Sequence, residues 1–100
     1  MRFILENIKD SPVNILRRLG YRLDRRKEAT GELGFVRRVG MDEYPRFHVF
    51  TKQTTFGKVE INMHIDQKKA SYQGTAMHSG EYENEGWLAK EAEEIKKTFL

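Results

Sequence analysis

The chain has 100 residues, 38% of them hydrophobic, a net charge of +3 and no cysteine. That length suits one domain with one core and is too short for two. The missing cysteines exclude disulfides, thiolate nucleophiles and cysteine-type zinc sites and fit a reducing cytosol, while no apolar run nears the roughly 20 residues that span a bilayer.

The opening Met1-Arg2-Phe3-Ile4-Leu5 meets Glu6 and Asp10 at once, without the apolar stretch and small-residue cleavage site of a signal peptide, so a cytoplasmic location is expected. The apolar run from Phe3 to Lys9 is too short to choose between strand and helix. Ser11-Pro12 reads as a helix N-cap followed by proline at the first helical position. Ile15, Leu16 and Leu19 fall on one arc at helical spacing, Arg17 and Arg18 suit the negative end of the helix dipole, and Gly20 is a natural stop. A helix is expected over 12–19.

Tyr21, Leu23 and Arg25 alternate with charged neighbours, and residues 28–32 look like a turn before Leu33 to Val39, which suggests a hairpin whose second arm is the better strand. The clearest period-two pattern follows. Phe47, Val49 and Thr51 alternate with Arg46, His48, Phe50 and Lys52, and beyond a turn at Thr54 to Gly57, Val59, Ile61, Met63 and Ile65 alternate with polar residues up to Asp66. Residues 67–86 lack sustained periodicity and read as a long loop. After Gly86, Leu88, Ala92, Ile95 and Phe99 form an apolar helical stripe, with Glu93 and Lys97 spaced for an ion pair. The fold class expected is therefore α+β: an N-terminal helix, an antiparallel sheet of three to four strands, and a C-terminal amphipathic helix packed on one face, in a single domain spanning 1–100.

Chemistry concentrates in two places. If Lys52 pairs with Lys58 across the hairpin turn, His48 stands opposite Asn62 and diagonal to His64 and Glu60, on the face turned away from Phe47, Val49, Ile61, Met63 and Ile65. Asp66 points the same way. Two imidazoles near neutral pKa can act as catalytic general acid and base, as in RNA cleavage through the 2′-hydroxyl, with His48 and His64 the catalytic candidates. The same groups can hold a divalent metal, with His48, His64, Asp66 and His78 as ligands and Glu81 as a further donor if the 67–86 segment folds back over the face. An ordinary polar sheet face would look the same in sequence.

The second concentration is basic. Residues 1–50 hold eleven Lys and Arg against seven Asp and Glu, whereas residues 51–100 hold seven against eight. Arg17, Arg18, Arg22, Arg25, Arg26, Arg37, Arg38 and Arg46, with Lys68 and Lys69 beside Asp66, are candidate phosphate contacts for RNA, and Tyr21, Tyr44 and Phe50 could stack on bases. A solvated charged surface is the plainer alternative. Trp87 stands off the apolar stripe, as a core flank or a contact residue. No Ser-His-Asp spacing, Walker loop, HExxH helix or dinucleotide fingerprint occurs. The functions these features allow are an RNA-binding or ribonuclease-like domain, a metal-binding hydrolase, or a non-enzymatic module that uses a sheet edge or Trp87 for a protein partner or for self-association.

The strings Met63-His64-Ile65-Asp66-Gln67-Lys68-Lys69, Ala70-Ser71-Tyr72 and His78-Ser79-Gly80-Glu81-Tyr82, with Tyr44-Pro45-Arg46-Phe47-His48 upstream, resemble small uncharacterised microbial proteins from about Phe35 onward; the resemblance implies no activity. The expected order of helix, three strands and helix is similar to the double-stranded-RNA-binding fold and to the HicA-type toxins that use it. In those toxins a catalytic histidine follows a Gly-Ser pair on a strand; His48 follows Pro45-Arg46-Phe47, so that motif is absent.

Overall fold

A computed structural model describes residues 1–27, 29–55, 57–67 and 77–99, the side chains of 55 and 77–85 excepted. The elements run β1 (Arg2–Leu5), α1 (Pro12–Arg18), β2 (Arg22–Lys27), β3 (Glu32–Arg38), β4 (Arg46–Thr55), β5 (Lys58–Asp66) and α2 (Met77–Phe99). The strands form one antiparallel sheet in the order β1-β5-β4-β3-β2. The class is α+β, with five strands where three to four are expected. The extra strand is β1, which precedes the N-terminal helix and pairs along β5, Phe3 opposite Ile61. Its ladder is extended by the N-terminal ammonium, which donates to the Met63 carbonyl at 3.0 Å, while the Met63 N–H donates to Met1. A four-residue strand has too few residues to display a period, so pairing with β5 rather than its own pattern defines it.

α1 starts where its sequence says. The Ser11 hydroxyl accepts from the Asn14 N–H at 3.2 Å, Pro12 occupies the first turn, and Ile15 and Leu16 are buried. The helix gives way to Gly20, whose φ of 95° a residue with a Cβ adopts only under strain.

α2 corrects the expectation of a loop over residues 67–86, because its backbone is already helical from Met77. Residues 77–86 carry no apolar stripe of their own, which is why periodicity misses them. The stripe that is present behaves as expected: Ala92, Ile95 and Phe99 join Ile15, Leu16, Phe35, Val49, Ile61 and Met63 in one core, with Leu88 packed against it. Glu93 pairs with Lys96 at 3.8 Å, one position short of the expected Lys97.

Both helices place their buried residues in the core on one side of the sheet, which leaves the other face of β2 to β5 mostly to polar and charged side chains, with Val36 and Phe50 set among them. A buried polar clamp ties α2 to the sheet. Glu91 is 7% exposed, accepts from the Tyr21 hydroxyl at 2.7 Å, and takes the Arg37 guanidinium at 2.6 Å. Burial, reinforced by Glu91, pushes the Tyr21 phenol up. Burial opposes the Arg37 charge, but the Glu91 contact outweighs it and holds its pKa above the usual value. The edge strand β2 is exposed along its whole length and reads Arg-Leu-Asp-Arg-Arg-Lys.

Candidate functional site

Alternation along β4 and β5 sorts the hairpin into two faces. Phe47, Val49, Thr51, Ile61 and Met63 are buried in the core; Arg46, His48, Phe50, Asn62, His64 and Asp66 take the other side. The register pairs Arg46 with Asp66, His48 with His64 and Phe50 with Asn62. This corrects the expected pairing of His48 with Asn62 by two residues. The strands run on to a Thr55–Lys58 pair through an irregularity between Gln53 and Thr55, so the turn is tighter than its composition suggests. A slip of two preserves the face, so the histidines share it in either register and in fact stand directly opposed.

Asp66 is the hub of the cluster. Its Oδ2 lies 3.2 Å from Arg46 Nε and 3.0 Å from His48 Nδ1, and its Oδ1 lies 2.8 Å from His64 Nε2. An ionised carboxylate only accepts, so both imidazoles turn an N–H toward it. Burial opposes ionisation of Asp66, yet the attraction of His48, the Arg46 hydrogen bond and the two contributions of His64 together hold its carboxyl below the ordinary value. Burial also dominates at His48 and lowers its pKa; the Asp66 and Asp24 charges pull the other way, and His64 adds to the lowering. Neutral imidazole is the form that binds metals, so the direction of this shift suits a ligand.

Depth grades across the cluster, with side-chain exposures of 14% for His48, 21% for Asp66 and 48% for His64. The His48 ring packs on Phe50 at 4.2 Å between centroids and against His64 at 5.0 Å. Phe50 lies over Gly34, where a Cβ would come within 3.3 Å of its ring. On the side away from Asp66, the buried His48 Nε2 has no hydrogen-bond partner among the described residues, and Asp24 Oδ2 stands 4.0 Å from it.

Comparison with protein-family models, curated proteins and solved structures finds no match. Geometry therefore carries the reading. Among the described residues, His48, His64 and Asp66 form a group with donor atoms all within 4.8 Å of one another. A cation bound at about 2.0–2.2 Å from nitrogen and oxygen donors holds them roughly 3 Å or slightly more apart, close to the contacts already present.

The other candidates separate. The His78 and Glu81 side chains, Lys68 and Lys69 lie outside the described residues. The basic residues do not share one surface. Register places Arg22 and Arg38 in the rows of His48 and Arg46, and Arg25 opposite Gly34. Arg37 is on the core side, committed to Glu91 and lying over the Tyr21 and Phe47 rings. Arg17 and Arg18 belong to the last turn of α1, where Arg18 pairs with Asp10, and Arg26 is opposite Leu33. Trp87 is 38% exposed on α2. Sequence reasoning assigned no role to Asp24, whose importance depends on a strand two positions away, nor to the Arg46–Asp66 pair, which only the register exposes. Among the described residues no helix is long and apolar enough to cross a membrane.

Proposed function

We propose that the protein is a divalent-metal-dependent hydrolase acting on phosphate esters, with the cation held by His48, His64 and Asp66 on the open face of the sheet. The observation that carries this reading is the convergence of two imidazoles and one carboxylate within 4.8 Å, built on two adjacent strands. Three protein donors leave coordination positions free for water and substrate, the arrangement of catalytic rather than structural sites. A divalent cation there supplies Lewis acidity and a bound water that ionises near neutral pH.

The surrounding charges support an anionic substrate. Arg38 and Arg46 are direct cross-strand partners on this face, and like charges so placed repel unless an anion lies between or beside them. Of these two guanidiniums, Arg46 is the one that Asp66 pairs with. Arg38 is exposed, and Arg22 flanks the next row, so a phosphoryl group beside the metal meets guanidinium donors suited to its oxygens. Metal analysis of protein purified without a His-tag, together with melting curves in Zn²⁺ and Mn²⁺, tests the reading. Stoichiometric metal or a metal-dependent rise in melting temperature is expected, followed by metal-dependent cleavage of a phosphate-ester panel; an empty protein that neither metal stabilises overturns it.

A second reading, RNA binding, is supported by the aromatic group His48, Phe50 and His64, with Phe50 and His64 stacked at 5.8 Å beside Arg22 and Arg38. Filter binding that shows no salt-sensitive affinity for single- or double-stranded RNA removes it.

A further inference from the structure

The His48 ring lies between two carboxylates on opposite sides. Its Nδ1 faces Asp66 on β5 at 3.0 Å, and its Nε2 faces Asp24 on β2 at 4.0 Å. Asp24 reaches it across β3, over the buried Val36 that is His48's register partner. The ladder is interrupted at Asp24 itself: Leu23 pairs with Phe35 and Arg25 with Gly34, leaving Asp24 as the extra residue of a bulge. Bulges re-aim side chains in this way beside functional sites.

In the metal-free arrangement the neutral His48 carries its proton on Nδ1, toward Asp66. Nε2 then presents a lone pair to a second acceptor, and this buried atom has no partner among the described residues. Metal binding reverses that mismatch. A cation takes the Nδ1 lone pair, the neutral ring carries its one proton on Nε2, and a donor now faces the Asp24 carboxylate. The proton leaves one nitrogen and returns to the other through solvent, with no net gain or loss. Metal-bound histidines ordinarily give their second N–H to such an acceptor, which fixes tautomer and ring orientation.

We infer that Asp24 is the positioning residue for metal-bound His48, accepting its Nε2–H and so favouring the metal-binding tautomer. The inference rests on the metal reading above and adds the residue that tunes it. Zinc titration of the full chain is compared for wild type, Asp24→Ala and Asp24→Asn, with imidazole ¹⁵N–¹H correlation spectra of the zinc-loaded proteins and melting curves without metal. Asp24→Ala is expected to weaken zinc binding by about 10- to 100-fold, the range for loss of such a partner. Its metal-free melting temperature should stay near that of wild type, because the lost contact forms only with metal. The spectra should show a proton on His48 Nε2 in wild type, and Asp24→Asn, whose Oδ1 still accepts, should recover part of the affinity. If wild type binds neither Zn²⁺ nor Mn²⁺, the metal reading and this inference fall together. If wild type binds zinc while Asp24→Ala binds it equally well, or loses as much stability without metal as with it, Asp24 has no such role and the metal reading stands.

Discussion

Asp66→Asn separates the hydrogen-bonding role of one carboxylate from the metal-ligand role proposed for it. Without metal, the substitution removes the charge facing Arg46, His48 and His64 but leaves an amide oxygen that still accepts one hydrogen bond. Hydrogen bonds to charged groups contribute about 1.5–3 kcal/mol each when buried, and exposed ion pairs about 0–1 kcal/mol. With Arg46 at 16% and Asp66 at 21% exposure, the pair falls between these limits, and a net loss of about 1–3 kcal/mol is expected. At roughly 4–8 °C per kcal/mol for a domain of this size, the metal-free melting temperature drops by about 5–20 °C.

Zinc should then widen the gap. At a free concentration about 100 times its dissociation constant, a ligand stabilises the folded state by about 2.7 kcal/mol. A variant whose affinity is about 100-fold weaker gains only about 0.4 kcal/mol at the same concentration. Calorimetric melts of both proteins across a zinc series therefore should show a wild-type rise of about 10–20 °C against a few degrees for the variant. Equal zinc-dependent rises would refute Asp66 as a ligand, and an unchanged metal-free melting temperature would refute its role as hub of the cluster.

The clamp at Glu91 offers an independent test: Glu91→Ala leaves a half-buried guanidinium and a buried phenol without their acceptor and should cost about 3 kcal/mol, read as a lower urea midpoint with an unchanged slope. The pH dependence carries two signs that agree. His48 has a folded pKa below its unfolded value of about 6.5, so below that pH the unfolded chain takes up the proton first and stability falls as pH drops through this window; His48→Gln should flatten that part of the profile. Asp66 is likewise depressed, so its contribution is complete above about pH 4 and disappears as pH falls through the folded value, a slope that Asp66→Asn should lack. Gly20→Ala should destabilise by about 1–2 kcal/mol, because φ is 95° and the new Cβ would stand 3.2 Å from Arg37 Cδ; circular-dichroism melts would show it.

Where residues announce their own geometry, the sequence is a good guide. Ser11-Pro12 marks the start of α1, and the apolar step of Leu88, Ala92, Ile95 and Phe99 marks the half of α2 that meets the core. Parity places His48, His64 and Asp66 on one face in the expected and the observed register alike, since alternation survives a slip of two. Pairing decided the rest. β1 is defined by its ladder with β5, and residues 77–86 are helical without a stripe to show it. Asp24 belongs to the His48 environment only because β2 lies two strands from β4 and bulges there. The basic residues of the first half are adjacent in sequence but not on one surface, since alternation sends Arg37 and Arg38 to opposite sides.

The margin formed by β2 also governs how molecules meet. Three arginines and a lysine against one aspartate on an exposed six-residue strand mean that a second copy aligned along it would bring an excess of cations together at the inter-strand spacing of about 4.8 Å. Sheet-to-sheet growth from that side is opposed by charge. A visiting strand that did add to this margin would have to bring acidic side chains with it, and its arrival beside Asp24 would change the surroundings of His48 from outside the hairpin.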